Sequence, residues 1–130
     1  MRTPRPAVKA LVQKGGRFLV LKKADRQLGG FLFDLPGGKM EFGERPAEAL
    51  LREVKEETDL LVEVGKPLHM DTIIKTDDFH IVATVFLCTP RKGEIRLSAE
   101  HETYWWLTRS DVLGGQFPGW IKESVKRCGP

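Results

Sequence analysis

Three glutamates, Glu53, Glu56 and Glu57, follow one another at helical spacing in the stretch REVKEETDL. Residues three and four apart are neighbours on a helix surface, and like charges there destabilise the helix by about 0.2–0.5 kcal/mol per pair. Neither cation of the stretch, Arg52 or Lys55, falls three or four positions from all three carboxylates. A bound cation would relieve this repulsion, and hard oxygen ligands suit Mg²⁺ or Mn²⁺. The spacing therefore indicates a divalent-metal site on a helix.

Glycines and a further acid precede these glutamates, in GGKMEFGERPAEALLREVKEETDL. Glycine lets a loop backbone come close to a bound ion, and an arginine stays protonated and can hold a neighbouring carboxylate in one orientation. Five residues separate Gly38 from Glu44, and seven separate Glu44 from the pair Arg52-Glu53. Two further residues precede the glutamate pair. This spacing resembles the signature of the Nudix hydrolase family over 23 consecutive positions, Gly38 to Leu60. The chain resembles the MutT-like branch of that family.

The resemblance implies an α/β protein with the Nudix fold, a mixed β-sheet sandwiched between helices. It also implies hydrolysis of a nucleoside diphosphate linked to another moiety, by attack of water on phosphorus, with Mg²⁺ as cofactor and Mn²⁺ able to substitute. In the expected catalytic group, Glu53 is the base or a metal ligand, Arg52 orients it, and Glu44 braces the loop and helix. The expected metal ligands are the Gly37 carbonyl, Glu53, Glu56, Glu57 and Glu100.

Glu100 enters that set from a second stretch, SAEHETYWW, which resembles the later loop and strand of MutT-like members, where an acidic residue faces the metal. Glu102 is the competing candidate. The expected substrate-binding residues are Gly38, Lys23, Phe117 and Trp120. Lys23 matches a strand-end cation that contacts phosphate in some relatives. The alternative, which is at least as well supported, is an ordinary surface lysine. The two aromatic residues occupy the region of the base pocket, with packing of the last helix as the alternative.

Other residues near the signature receive weaker assignments. His80 lies in an apolar run and is interpreted as a sheet histidine; His101 lies beside Glu100, but nothing requires it to act. Asp59 departs from the signature, which usually has glycine just past the helix. Aspartate tolerates the left-handed conformation of such a cap better than most residues, so we expect the helix end to survive.

The hydrophobic pattern predicts the elements that must position these residues. Strands are expected at 7–13 and 17–22 around a glycine turn, in FLFDLPGG, at 61–75 and 79–89, and in YWWL. A helix is expected at 46–58 because Pro46 suits its first position, with Ala47, Leu50, Leu51, Val54 and Thr58 as its core stripe. TRSDVL is predicted as a capped turn, and a last helix starts near Pro118. Strands, helix, strands and helix predict a layered α/β arrangement.

Composition places the chain among ordinary globular proteins. With 130 residues, 41% of them apolar and 30% charged, we expect a single domain over 1–130. The net charge of +3 favours an anionic ligand and is too dispersed for duplex nucleic acid. No apolar run reaches the length that spans a bilayer, so no membrane partner is expected. The two cysteines, Cys88 and Cys128, suggest no disulfide framework, and a reducing cytoplasm is the expected compartment.

The preferred substrate class is nucleoside triphosphates, including oxidised or non-standard ones, cleaved to a monophosphate and pyrophosphate. The alternative is ADP-ribose or a sugar nucleotide. Relatives of that kind often carry a proline about sixteen residues past the signature, and dinucleoside-polyphosphate relatives a tyrosine nearby; the stretch IIKTDDF has neither. A second alternative is a non-catalytic domain that senses a nucleotide, although the acidic set is retained. Whether the protein forms a homodimer is left open.

Overall fold

A computed structural model describes residues 3–24 and 33–129. Ten elements follow one another along the chain: β1 (Arg5–Lys14), β2 (Arg17–Lys23), β3 (Phe33–Asp34), β4 (Gly37–Lys39), α1 (Pro46–Thr58), β5 (Leu61–Thr76), β6 (Phe79–Lys92), β7 (His101–Thr108), α2 (Arg109–Gly114) and α3 (Gly119–Arg127).

Strand β1 is the central strand of the sheet. It pairs with β2 in an antiparallel hairpin whose turn glycines, Gly15 and Gly16, have φ of 57° and 75°. It pairs in parallel with β6 over its whole apolar run, and antiparallel with β4 beside Gly37 and Gly38. The order β3-β2-β1-β6-β5, with β4 on β1 and β7 on β2, is a mixed sheet. The predicted central position of the 79–89 strand is confirmed.

The sheet is covered on both faces by apolar packing. On one face Leu50 and Val54 of α1 pack with residues such as Val8 and Leu19. On the other face Ile121 and Val125 of α3 pack with residues that include Leu11. Successive residues of a strand point to opposite faces, so alternating positions of β1 and β2 supply both cores. The predicted α/β layering, with a mixed sheet between helices, is confirmed.

The core stripe of α1 was partly mispredicted. Ala47 is exposed and Leu51 is 41% exposed, whereas Ala49 is fully buried. At 100° per residue the buried arc is centred closer to Glu57 than the apolar pattern indicated. The helix is turned so that Glu57 faces the sheet, and this rotation carries Ala47 and Leu51 outward.

Smaller differences concern element boundaries. The described part of FLFDLPGG forms two short strands, β3 and β4, because β3 pairs with β2 and β4 with β1. TRSDVL continues into a helix, α2, whose cap Thr108 accepts a hydrogen bond from the Asp111 N–H at 3.1 Å. The predicted loop KADRQLGG lies almost wholly outside the described residues.

The end of α1 has the geometry expected of the unusual Asp59. Its φ of 65° is left-handed, and its N–H bonds the Lys55 carbonyl at 2.9 Å. The Asp59 carboxylate also accepts a bond from Lys55 Nζ at 2.6 Å. The expectation that aspartate preserves this cap is confirmed. Within the described residues, no helix is both long enough and apolar enough to cross a membrane.

Candidate active site

The glycine loop brings β4 against the last turn of α1. Gly37 has φ of 143°, and a Cβ at this position would lie 2.1 Å from the Val8 carbonyl oxygen. Only glycine fits such an approach. Its N–H donates to Glu57 Oε1 at 3.0 Å, and Glu57 is 5% exposed. The loop therefore fixes one oxygen of a buried carboxylate.

Burial strongly affects the acidity of Glu57. Desolvation raises the pKa of Glu57 to about 8, although Lys9 and the Gly37 N–H favour the charged form. Nearby Asp34 and Glu53 add to the increase. Without a further cation, this carboxyl group retains a proton near neutral pH.

Arg52 organises the acids on the outer side of the pocket. Its Nε and Nη2 donate to the two oxygens of Glu44 at 2.7 and 3.0 Å, a bidentate pair. Its Nη1 donates to Glu53 Oε1 at 2.9 Å. The hydrogen bond from Arg52 lowers the pKa of Glu44 to about 2, so Glu44 stays ionised. The structure places Arg52 between Glu44 and Glu53.

Glu53 lies over the backbone of Gly38. A Cβ at Gly38 would be 2.7 Å from the Glu53 carboxylate, so the absence of a side chain makes room for it. Burial raises the pKa of Glu53, Arg52 opposes this increase, and Glu56 and Glu100 add to it. Glu53 is therefore a better proton acceptor than an ordinary surface glutamate.

Three side chains converge at the base of the pocket. Ligand atoms of Glu57, Glu100 and His101 lie within 4.8 Å of one another. Glu102 instead points to Lys22, whose Nζ donates to its Oε1 at 3.3 Å. The geometry thus favours Glu100 over Glu102 as the acid that faces Glu57.

Glu56 does not join this group. Its side chain is 59% exposed, and its Oε2 lies 3.5 Å from Arg52 Nη1. It is absent from the residues that line the pocket and from the cluster of close ligand atoms within the described chain. Its role as a metal ligand stays a prediction.

The pocket between these elements has a volume of about 500 Å³. Its acids are Asp34, Glu53, Glu57 and Glu100. Its cations lie on four different strands and are Lys9, Lys23, Lys39 and Lys75. Burial lowers the pKa of Lys75 to about 8, and the ammonium groups of Lys9 and Lys23 contribute to this decrease. A cavity lined by acids and by clustered lysines can bind a cation through the acids and a polyanion through the lysines.

A buried ion pair that the sequence pattern did not predict lies in the wall of this pocket. Lys9, 3% exposed, lies 3.0 Å from Asp34, and it donates to the carbonyls of Leu35 and Gly37 at 3.3 and 3.4 Å. Burial alone would lower the pKa of Lys9, but Asp34 and Glu57 raise it. Although burial would raise the pKa of Asp34, Lys9 and His101 hold it well below its usual range. The sequence indicates this pair only through a charged residue within each of two apolar segments, the lysine in AVKALVQ and the aspartate in FLFDL.

The aromatic candidates lie elsewhere. Trp120 is 7% exposed and packs in the core. The rings of Phe117 and Phe33 are tilted by 47° with centroids 4.7 Å apart, and the centroids of Phe33 and Trp105 are 5.6 Å apart. Neither Phe117 nor Trp120 is among the residues that line the pocket in the described chain. Lys23 does line it, and contact of the two aromatic residues with a base stays a prediction.

Comparisons with known proteins agree with this geometry. The NUDIX domain family model matches residues 3–128. A MutT-like protein from Streptomyces ambofaciens is 37% identical over 102 residues, 78% of this chain and 62% of that protein. The nucleoside triphosphatase NudI from Escherichia coli is 32% identical over 120 residues, 84% of this chain and 85% of that protein. The crystal structure of the MutT protein from Methanosarcina mazei Go1 has a TM-score of 0.85 at 27% identity, and covers 98% of this chain and 94% of that one.

The chain therefore belongs to the Nudix family, and the predicted Nudix fold and MutT-like resemblance are confirmed. A third relative, the ADP-ribose pyrophosphatase of Methanocaldococcus jannaschii, is 34% identical over 94 residues, 72% of this chain and 55% of that protein. The chain spans less than two thirds of the Streptomyces and Methanocaldococcus proteins. The Escherichia coli and Methanocaldococcus relatives are named as a nucleoside triphosphatase and an ADP-ribose pyrophosphatase, and both names describe hydrolysis of phosphoric anhydride bonds.

Proposed function

We propose that this protein is a divalent-metal-dependent pyrophosphohydrolase that converts nucleoside triphosphates, including oxidised or non-standard ones, to a monophosphate and pyrophosphate. The pocket supports this proposal, because acids that could hold a cation share it with lysines that could hold phosphates. The proposed cofactor is Mg²⁺, with Mn²⁺ able to substitute.

The donor set fits a divalent ion. Glu57 and Glu100 present oxygens close to each other, and Glu57 is buried near the carboxylates of Asp34 and Glu53. The Gly37 carbonyl would complete the inner set, with Glu56 joining from the rim. When bound, the ion supplies charge neutralisation for phosphate oxygens and lowers the pKa of a coordinated water.

Glu53 is the proposed general base. Arg52 holds one of its oxygens, and partial burial makes it basic enough to accept a proton from water. The water oxygen forms a new bond to phosphorus as the bond to the leaving pyrophosphate breaks, and the water proton passes to Glu53. Glu44 acts as a positioning residue because it fixes Arg52 from the other side.

The lysines are proposed to bind the phosphate chain. Burial, Lys9 and then Lys23 lower the pKa of Lys75, so the ammonium groups of Lys23 on β2 and Lys75 on β5 lie close together. Two cations held together and partly desolvated are stabilised by an anion between them. Lys39, whose Nζ lies 5.4 Å from the Phe79 ring centroid, lines the same pocket. A triphosphate offers more negative charge to this group than a diphosphate ester does.

A nucleotide panel tests the proposal. Nucleoside triphosphates and ADP-ribose are compared at matched concentrations, with and without Mg²⁺, and released pyrophosphate and orthophosphate are measured separately. We expect pyrophosphate from triphosphates, dependence on the ion, and lower kcat/KM for ADP-ribose. Release of orthophosphate alone, or turnover unaffected by chelation, would contradict the proposal.

ADP-ribose hydrolysis is the second candidate, favoured by the 34% identity with the ADP-ribose pyrophosphatase of Methanocaldococcus jannaschii. A higher kcat/KM for ADP-ribose, with AMP and ribose 5-phosphate as products, would select it. Nucleotide binding without turnover of any panel member would select the sensing domain. Cys88 is a buried free thiol, which fits the proposed cytoplasmic setting.

A further inference from the structure

His101 has a buried ring nitrogen without a partner. It is the first residue of β7, and its side chain is 3% exposed. Its Nδ1 is buried and has no hydrogen-bond partner within residues 3–24 and 33–129. Buried polar atoms in folded proteins nearly always have a partner, and an unsatisfied one costs about 1–3 kcal/mol. The nitrogen therefore points to a ligand from outside the chain.

The surroundings of the ring indicate the kind of ligand. A ring nitrogen of His101 and carboxylate oxygens of Glu57 and Glu100 lie within 4.8 Å of one another, and all three side chains line the pocket. Two acids and an imidazole at this separation form a donor set for one small cation. A cation placed there would bind a ring nitrogen of His101 and neutralise the two acids together.

Asp34 supports the ring from the opposite side. Its Oδ2 lies 3.7 Å from His101 Nε2, and its Oδ1 accepts from the Leu35 N–H at 2.8 Å and faces Lys9 Nζ at 3.0 Å. Histidines that bind metals usually direct their second ring N–H to such a carboxylate, which fixes the ring and its tautomer. With Nε2 facing Asp34, Nδ1 is the nitrogen left for the pocket.

We propose that His101 Nδ1 is a nitrogen ligand of the divalent cation in this pocket, together with Glu57 and Glu100. The inference rests on the metal-dependent function proposed above and adds a preference among cations. Mg²⁺ prefers oxygen ligands, whereas imidazole suits first-row transition metals. The nitrogen therefore makes the site bind Mn²⁺ and especially Co²⁺ more tightly than an all-oxygen set would.

The first test uses the unaltered protein without substrate. Electron spin echo envelope modulation is recorded on the Mn²⁺-loaded protein, once at natural abundance and once with only the histidines labelled with ¹⁵N. We expect a directly coordinated ¹⁴N coupling that changes to a ¹⁵N coupling on labelling. A spectrum that is unaffected by the histidine label would overturn the inference.

The second test compares His101→Gln with a matched control, His69→Gln. His69 lies on β5 and pairs with Asp71 at 3.1 Å. By calorimetric titration, His101→Gln should weaken Co²⁺ binding by about tenfold or more and Mg²⁺ binding by less than about threefold. The control should change neither. Equal losses for both ions would contradict the nitrogen preference. Thermal unfolding without metal verifies that the variant is folded; if it is not, the labelling result decides.

The outcomes separate this inference from the proposed function. Mn²⁺ binding and Mg²⁺-dependent turnover without a histidine coupling would overturn the role of His101 alone. Failure of the unaltered protein to bind any of the three ions would overturn both.

Discussion

Two groups of charges meet at the pocket, and they are built differently. Glu44, Arg52 and Glu53 lie within one short segment, and the Arg52 side chain is 25% exposed. Lys9, Asp34 and His101 come from three strands far apart in the sequence and are all buried. The first three residues, called the helix group here, can come together through local geometry. The second three, called the strand group, meet only once the sheet has assembled. The first group contains the proposed base, Glu53, whereas the second contains the proposed nitrogen ligand, His101, with the Lys9–Asp34 pair beside it.

The strand group should produce the largest loss of stability. Lys9→Met leaves Asp34 buried without its cation, and breaking such a pair costs about 3–5 kcal/mol. The double variant Lys9→Met/Asp34→Asn removes both charges and should recover most of that loss. The free energy of unfolding from urea titrations measures both values. Equal stability of the single and double variants would show that the pair is not coupled.

The helix group should produce the largest loss of turnover. Glu53→Gln keeps the shape but removes the proposed base, so kcat should fall by about 10²–10⁴-fold with little change in stability. The control is Glu63→Gln, an exposed glutamate that contacts Arg91 outside the pocket. Steady-state kinetics at saturating Mg²⁺ measures the effect. A kcat within a few-fold of the parent would remove Glu53 from the catalytic role.

Glu57 joins the two groups and should make stability depend on pH. Its pKa is about 4.5 unfolded and about 8 in the folded metal-free protein, so between these values the folded state holds a proton that the unfolded chain has lost. That stabilisation is fully present below the unfolded pKa and is lost as pH rises through 8. The free energy of unfolding should therefore fall by about 3 kcal/mol between about pH 5 and about pH 7.5 in chelator.

Glu57→Gln should flatten this profile, because the amide does not titrate. Denaturation curves across the pH range, in buffers of constant ionic strength, measure the slope for parent and variant. Parallel profiles would show that Glu57 is not the group responsible.

The smallest effect concerns the end of α1. Asp59→Gly relieves a left-handed residue that has a Cβ but loses the exposed contact with Lys55, so stability should rise by only about 0.5 kcal/mol. Thermal unfolding of the two proteins measures the difference. A clear decrease would mean that the Lys55 contact matters more than backbone strain.

The helix group was predictable from the sequence because its determinants are local. Pro46 and Asp59 mark the ends of α1, and the resemblance to the family signature implies that Glu44, Arg52 and Glu53 belong to one site. The strand group was not predictable, since the meeting of Lys9 with Asp34 depends on how β1, β2, β3 and β4 pair. His101 was noticed beside Glu100, but its burial follows from the pairing of β7 with β2 at Lys23.

The parallel pairing of β1 with β6 has a consequence for folding. Arg5 pairs with Ile81 and Val12 with Cys88, so β1 pairs with a strand that lies more than half the chain away in sequence. Contacts of such high sequence separation slow folding, because a long loop must close before they form. During synthesis the hairpin and α1 leave the ribosome well before the strand that completes their sheet. Until β6 arrives, β1 exposes an unpaired apolar edge, and the nascent chain is open to wrong pairing at that edge.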